Sequence, residues 1–120
     1  IAGLPNAFMV LGPNLGIGHN SAFIVIEAQI NYILSTLQTM REQQLSRVEV
    51  KADSQKTYNR KVQKDLQGTV WNTGGCSSYY LDKNGFNSVG FPWSTLEMQR
   101  LLKDFDAENY SLTPASQPVF

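Results

Sequence analysis

The sequence has 120 residues, with 10 basic and 10 acidic side chains, one cysteine and one histidine. This length is ordinary for one compact domain. Zero net charge argues against a protein that works on nucleic acid or on an anionic lipid surface. A single cysteine and a single histidine exclude an internal disulfide and a zinc site made by this chain alone. The longest apolar run, residues 22–26, is far shorter than the roughly 20 residues that span a bilayer, so we expect no membrane segment.

The beginning of the chain carries no secretory signal, because it has no basic cluster and is interrupted by Gly3 and Pro5. We therefore expect a reduced, cytoplasmic protein. Ile1 occupies the first position, and charged residues make up 17% of the chain, against about 25% in a typical protein. These features predict that the chain is part of a larger polypeptide and that some of its surface packs against other protein.

The first predicted elements are a strand, a glycine-rich loop and a long helix. Residues 7–11 form a short apolar run between turn residues, which favours a buried strand. Residues 12–20 form the loop, and Asn20 or Ser21 caps a helix that continues to about Leu45. The first half of this helix is apolar on nearly all sides, so we expect it to be buried on more than one side.

A strand, a second helix and a hairpin follow. Residues 47–51 alternate polar and apolar side chains, as a half-exposed strand does. A cap at residues 53–54 begins the second helix, which ends at Gly68. The dipeptide of residues 84–85, Asn-Gly, is a turn signal that predicts a β-hairpin from residues 77–81 and 87–91.

A third helix begins at the capping box Ser94-x-x-Glu97. Its predicted buried stripe consists of Met98, Leu101, Leu102 and Phe105. From residue 106 onward no period is visible, so the sequence predicts a main unit over residues 1–105 and an irregular tail over 106–120. The predicted class is α+β.

The loop before the long helix is the first candidate site. The start of a helix presents unpaired N–H groups and a partial positive charge, and glycine lets a ligand approach the backbone. Gly16-x-Gly18 followed by Ser21 lacks the third glycine of a dinucleotide-binding motif. From spacing alone, the loop is either a ligand-binding loop or a connection that needs glycine for its geometry.

Three other features allow both a functional and a structural interpretation. Cys76 after Gly75 suggests a cysteine nucleophile with His19 as base, whereas a packed thiol is the simpler interpretation. The basic face of the second helix, with Lys56 and Arg60, fits either a phosphate-bearing partner or solvent. An aromatic cluster fits a flat ligand, a protein partner or the core; it consists of Trp71, Tyr79, Tyr80, Phe86, Phe91 and Trp93.

Several motifs together resemble a known family. The first block consists of Leu4-Pro5-Asn6-Ala7-Phe8-Met9, Leu11-Gly12-Pro13-Asn14, Gly18-His19-Asn20-Ser21 and Ile26-Glu27-Ala28-Gln29. The second consists of Tyr58-Asn59, Thr69-Val70-Trp71, Gly74-Gly75-Cys76-x-Ser78, Tyr80-Leu81-Asp82 and Asn84-Gly85. In this order they resemble the C-terminal part of flavoprotein monooxygenases of the Baeyer–Villiger and flavin-containing type, over about residues 3–110.

The resemblance implies a role for the loop in a larger flavoprotein with two dinucleotide-binding domains. In that family FAD and NADPH are the cofactors, and this loop lies beside the flavin ring. The implied FAD-binding residues are Gly12, Pro13, Asn14, Gly18, His19, Asn20 and Ser21. Tyr79 stands where the family commonly has a tryptophan near the nicotinamide nucleotide, which implies a contact with NADP. The resemblance implies no catalytic residue and no metal ligand in this chain.

The resemblance also implies an activity for the whole enzyme, in which NADPH and O2 are used to oxygenate a small organic substrate. The products are an ester or lactone from a ketone, or an oxidised heteroatom. Because the FAD- and NADP-binding domains lie upstream in that family, we expect this chain alone to be inactive, to bind no cofactor, and to form a homodimer through its uncovered apolar surface. The alternative is a free-standing module that binds protein through the aromatic hairpin.

Overall fold

The computed structural model describes residues 1–16, 21–75 and 78–117, and it has the predicted α+β class. In chain order the helices and strands are α1 (Ala22–Glu42), β1 (Leu45–Val50), α2 (Ala52–Leu66), α3 (Val70–Thr73), α4 (Thr95–Leu101) and β2 (Tyr110–Pro114). A single 3₁₀ turn, Ala107–Asn109, precedes β2 in the described chain. None of the helices in the described residues is long and apolar enough to cross a membrane.

The long helix α1 is amphipathic within this chain, not buried on several sides. It begins after Ser21 and ends at Glu42, before the left-handed Gln44 (φ 49°), so Leu45 lies in β1 instead of the helix. Val25 and Met40 on its inner side are buried, whereas Phe23 is 83% exposed. The predicted burial is wrong here because the described chain covers only one side of α1, which packs on α4 and β1 and contacts Asp106 and Tyr110 through Tyr32.

The small sheet pairs β1 with β2 in antiparallel register, with Val48 opposite Leu112 and Val50 opposite Tyr110. The irregular tail predicted from residue 106 is therefore wrong over Tyr110–Pro114. This strand has the alternating burial that one buried face requires, but its sequence is too short and polar to reveal a strand without its partner.

The strand predicted over residues 7–11 is not formed. This segment has no regular structure, and its end is a turn with Leu11 in the left-handed region (φ 52°). It is anchored at Asn6, whose N–H donates to Val48 O and whose Oδ1 accepts from Val48 N, both at 2.9 Å. A strand needs a neighbouring strand for its backbone groups, and the described chain places none beside residues 7–11.

The predicted hairpin is reduced to its turn and one bridge between Leu81 and Asn87. A turn is formed, but its backbone hydrogen bond runs from Gly85 N to Asp82 O at 2.9 Å, so it centres on residues 83–84, one position before the predicted 84–85. The Asp82 carboxylate accepts hydrogen bonds from the N–H groups of Asn84 and Phe86 at 2.8 and 2.9 Å. The N–H groups that bond to Asp82, and those that bond to the Asn87 side chain described below, are not available for the backbone hydrogen bonds of a regular β-hairpin.

Two apolar clusters hold the elements together. The first joins Val25 of α1, Phe91 and Met98 of α4, and the second joins Met40, Leu45 and Val48. The predicted cap of α4 is confirmed, because Ser94 Oγ accepts from Glu97 N at 3.2 Å. Of the predicted α4 stripe only Met98 is fully buried; α4 ends at Leu101, so Phe105 lies beyond it and packs on the second cluster.

Candidate functional site

The first part of the predicted cofactor loop, residues 12–16, lies against residues 88–90. The Asn14 N–H donates to Ser88 O at 2.7 Å, and the Gly16 N–H donates to Val89 O at 2.7 Å. Asn14 adopts the left-handed conformation (φ 59°) that asparagine tolerates. A Cβ at Gly16 would lie 2.4 Å from Val89 Cγ1 and 2.6 Å from Val89 O. Glycine at position 16 is therefore required by the close approach of the two backbones.

The predicted FAD-binding residues differ in how far they are exposed. Gly12 and Asn14 are half-buried, and Pro13 and Ser21 are exposed. Gly18, His19 and Asn20 lie outside the described residues, as does Cys76. Ser21 is the N-cap of α1 by its backbone, yet its side chain makes no capping hydrogen bond.

A shallow cavity of about 420 Å³ lies directly on the loop, between residues 11–16 and Ser88 and Val89. The start of α1 follows this loop in the chain. The first α-helical hydrogen bond is donated by Val25 N to Ser21 O at 3.2 Å, so the N–H groups of the preceding helical residues have no partner within the helix. An electron-rich group is favoured at such a helix end.

Four amide side chains converge behind the loop, and we call Asn14, Gln63, Asn72 and Asn87 the amide cluster. Asn87 is its centre and is completely buried. The Asn87 side chain donates to Asn72 Oδ1 at 2.8 Å, and its own Oδ1 accepts from Gly90 N at 2.7 Å. Each buried side-chain polar atom of the described chain has a hydrogen-bond partner, as burial of amides requires.

Backbone groups of Asn87 complete the amide cluster. Gln63 of α2 makes two bonds with them, donating to Asn87 O at 2.7 Å and accepting from Asn87 N at 3.1 Å. Asn14 Nδ2 donates to Asn87 O at 2.7 Å and to Gly90 O at 3.0 Å. Sequence reasoning missed Gln63, Asn72 and Asn87; the available signal was the spacing Asn87-Ser-Val-Gly90, which is typical of an asparagine turn.

Tyr79, the residue predicted to contact NADP, is 93% exposed. Its ring meets Tyr80 edge-on at 6.1 Å, and Tyr80 meets Trp71 of α3 at 5.1 Å. Trp71 precedes Asn72 of the amide cluster. The row of three rings therefore connects to the loop through α3 and Asn87.

Much of the aromatic cluster packs inside the chain. Phe91 is buried in the first apolar cluster, and the Trp93 indole donates to the Asp65 carboxylate at 2.8 Å. Lys61 lies over the Trp93 ring at 4.0 Å. Core packing thus explains these aromatic residues. The basic residues Lys56 and Arg60 are exposed on α2.

A larger cavity of about 680 Å³ lies behind the loop, between α1, α2 and α4. Leu15 of the loop, Phe91 and Met98 contribute to its apolar wall. Tyr32 closes one end, donating to Asp106 and contacting the Tyr110 hydroxyl at 3.1 Å. Burial raises the pKa of Tyr32 well above its usual range, and the hydrogen bond to Asp106 adds to the rise.

Metal binding finds no support in the described residues, which contain no group of three histidine, cysteine or acidic side chains arranged to hold an ion. The chemistry that this site offers is therefore that of backbone amides, side-chain amides and an apolar wall. The described residues of this site are suited to binding and orienting a ligand.

Known monooxygenases are similar to this chain in sequence. No family model matches the chain. It is 44% identical over 113 residues to a Baeyer–Villiger monooxygenase of Pseudomonas aeruginosa, covering 93% of this chain and 21% of that protein. The chain is homologous to a segment of the Baeyer–Villiger flavoprotein monooxygenases. A relative of the same name from Streptomyces coelicolor is 37% identical over 120 residues, covering 98% of this chain and 23% of its own length.

Two further monooxygenases are similar to this chain, one in sequence and one in fold. An FAD-binding monooxygenase of Aspergillus niger is 29% identical over 101 residues, covering 81% of this chain and 17% of that protein. The solved structure of an oxidized steroid monooxygenase bound to NADP superimposes with a TM-score of 0.79. It has 13% identity and covers 96% of this chain and 22% of its own, so it shows a shared fold. The chain spans about a fifth of the length of the curated relatives it matches.

Proposed function

We propose that this chain is the C-terminal segment of a flavin-dependent monooxygenase that uses NADPH and O2 to oxygenate a small organic substrate. The single observation that carries the proposal is the loop of residues 12–16, which three hydrogen bonds fix against residues 88–90 and which the start of α1 follows in the chain. The homology to Baeyer–Villiger monooxygenases over nearly the whole chain supports it. The substrate is a ketone converted to an ester or lactone, or a compound with an oxidisable heteroatom.

The described residues fit a flavin in chemical terms. The cavity on the loop is bordered by two glycines, a serine and the apolar side chains of Leu11, Leu15 and Val89, a lining against which a flat, largely apolar ring can pack. The N–H groups of the first turn of α1, which have no partner within the helix, favour the negative charge that a reduced flavin carries. We propose that Gly12, Pro13, Asn14 and Ser21 contact FAD, together with Gly18, His19 and Asn20. When bound, FAD would accept electrons from NADPH and pass them to O2.

Tyr79 is proposed as a contact for NADP. Its ring is exposed and supported from one side by Tyr80, as a side chain that stacks on a nucleotide must be. The row of Tyr79, Tyr80 and Trp71 gives this ring a defined position relative to the loop.

The outer face of α1 is proposed to pack against the upstream FAD- and NADP-binding domains of the same polypeptide. Phe23, Ile30, Leu34 and Leu37 are exposed along this face, and Phe8, Met9 and Val10 are exposed beside it. Contiguous apolar surface of this kind marks a protein contact. Without those domains we expect the chain to hold no cofactor, to be inactive and to self-associate. The cytoplasmic location stays a prediction.

Product analysis tests the proposed activity. The full polypeptide is incubated with FAD, NADPH, ¹⁸O2 and either a cyclic ketone or an aryl alkyl sulfide. The proposed reaction inserts one atom of O2 into the substrate and reduces the other to water, while NADPH is oxidised to NADP⁺. We expect one labelled oxygen in the lactone or sulfoxide. Products without label, or no oxidation of NADPH with any substrate, would contradict the proposal.

A further inference from the structure

Asn87 is a buried polar residue to which neither the sequence motifs nor the proposed reaction assigns a role. Its side chain accepts from Val89 N at 3.0 Å and from Gly90 N at 2.7 Å. These two bonds turn the backbone of residues 88–90 away from a strand conformation. Three carbonyl groups of that turn then face the loop.

Those three carbonyl groups hold the loop. Ser88 O accepts from Asn14 N, Val89 O accepts from Gly16 N, and Gly90 O accepts from Asn14 Nδ2. Residues 88 and 89 also border the cavity on the loop. The conformation of the loop therefore depends on a turn that the Asn87 side chain creates.

Asn87 is itself held in place by hydrogen bonds to residues of two helices. Gln63 of α2 pairs with the Asn87 backbone through both of its amide atoms, and Asn72 of α3 accepts from Asn87 Nδ2. Gly90 lets Leu66 of α2 pack closely, since a Cβ there would lie 3.2 Å from Leu66 Cδ2. A fully satisfied buried network of this kind is rigid.

We propose that Asn87 is a positioning residue, which sets the conformation of the loop of residues 12–16 and through it the affinity and the electronic environment of the flavin. The flavin part of this inference rests on the proposed function. Asn87 touches no reacting atom in this account. It acts through the turn of residues 88–90.

The test compares hydrogen exchange in the full polypeptide carrying Asn87→Ala, Asn87→Asp or the control Asn84→Ala. Alanine at 87 removes the acceptor of Val89 N and Gly90 N, whereas aspartate keeps it. Asn84 is an exposed residue of the nearby turn. In Asn87→Ala we expect the amides of Asn14 and Gly16 to exchange about tenfold faster or more, the factor for losing one buried hydrogen bond.

The remaining variants and amides decide whether the effect is local. Asn87→Asp should restore slow exchange in part, and Asn84→Ala should match the unmodified protein, while amides of the β1–β2 sheet keep their rates in all variants. Unchanged exchange at residues 14 and 16 in Asn87→Ala would overturn the proposal. Equal acceleration throughout the chain would overturn it too, because that is the result of a merely structural role. If Asn87→Ala does not fold, Asn72→Ala removes the acceptor that holds the Asn87 side chain and should accelerate exchange at residues 14 and 16 to a smaller extent, whereas unchanged exchange there would overturn the proposal.

The flavin readout separates this inference from the proposed function. In Asn87→Ala we expect FAD to dissociate more readily and its visible absorption bands to shift, with Asn84→Ala unchanged. Altered loop exchange with unaltered FAD affinity and spectrum would overturn the link between Asn87 and the flavin. If the unmodified full polypeptide binds no FAD, the proposed function fails, and the exchange of the loop amides still decides whether Asn87 positions the loop.

Discussion

At Gly16 the loop backbone comes so close to Val89 that a methyl group would overlap both the side chain and the carbonyl oxygen. The neighbouring Asn14 meets the same segment through its N–H and its side-chain amide. Single residues thus decide where the proposed cofactor loop lies. Gly16 gives a direct test at this scale, and so does Asp65 in α2.

The substitution Gly16→Ala should lower the stability of the segment by about 1–3 kcal/mol, because the added methyl group overpacks the contact with Val89. The apparent melting temperature of the full polypeptide and its FAD affinity should both fall. Gly68→Ala is the matched control, since a Cβ there would lie at an ordinary 3.9 Å from its nearest neighbour, Asp65 O. Equal effects of the two substitutions would show that the contact at Gly16 is not tight.

Asp65 predicts a pH dependence. The hydrogen bond from the Trp93 indole, followed by that from Lys61, holds the pKa of the Asp65 carboxyl below its usual range. Its contribution to stability is therefore present above the unfolded value of about 3.9 and is lost as the pH falls through the lower folded pKa.

In Asp65→Asn we expect a weaker dependence of stability on pH in this acid range. Unfolding midpoints in urea measured from about pH 5 downward provide the measurement. Asp104→Asn, at an exposed carboxylate, is the control and should follow the unmodified protein. A variant at position 65 with the full acid dependence would contradict the assignment.

At the scale of elements, α1 is tied to the 3₁₀ turn and β2 through one hydroxyl group. Tyr32 donates to Asp106 and contacts the Tyr110 hydroxyl, while the Phe105 ring packs edge-on against Tyr32 at 6.0 Å. These contacts explain why the chain after residue 106 is ordered as a strand instead of an irregular tail.

Tyr32→Phe should cost about 1 kcal/mol at neutral pH, because it removes the hydroxyl and keeps the ring. The pKa of Tyr32 is raised by burial and by Asp106. The stabilisation is therefore complete below the unfolded pKa of about 10 and is lost as the pH rises through the folded value. Urea unfolding of the full polypeptide at neutral pH checks this, with the exposed Tyr79→Phe as a control for stability. Identical urea midpoints for Tyr32→Phe and the unmodified protein would contradict a stabilising role of the Tyr32 hydroxyl.

Local signals predicted α1, α2, α4 and the strand β1 to within a few residues, but they did not predict α3 or β2 and wrongly predicted a strand over residues 7–11. The capping serine of α4 directly precedes that helix, and the apolar period of α1 is a property of the helix's own sequence, so both signals are local. The partner of β1 lies about 65 residues away in the sequence, and residues 7–11 lack the neighbour that a strand needs. Asn87 looked like an ordinary hairpin residue because its burial depends on Gln63 and Asn72, which belong to other elements.

At the scale of the whole molecule, the outer face of α1 presents several large apolar side chains to solvent. Leu34 is 56% exposed and Phe23 is 83% exposed on a helix whose opposite side is buried. The described chain is elongated, with extents of 57 × 27 × 18 Å. This shape leaves much of α1 for contact with the rest of a longer polypeptide.

Leu34→Asp in the full polypeptide should therefore destabilise the protein by about 2 kcal/mol or more, since the proposed contact with the upstream domains would bury this leucine and would leave an aspartate there as an unpaired buried charge. Its matched control is Asn31→Asp, which adds a charge at an exposed polar position of the same helix. Thermal unfolding and FAD content measure the difference. Equal behaviour of the two variants would show that this face of α1 stays in solvent.

The measurement that tests the account most directly is the visible absorption spectrum of the purified full polypeptide, recorded without O2 before and after addition of NADPH. We expect the full polypeptide to show flavin bands that bleach when NADPH is added, and the 120-residue chain alone to show none. A full polypeptide without flavin bands after incubation with FAD, or with bands that NADPH leaves unchanged, would contradict it.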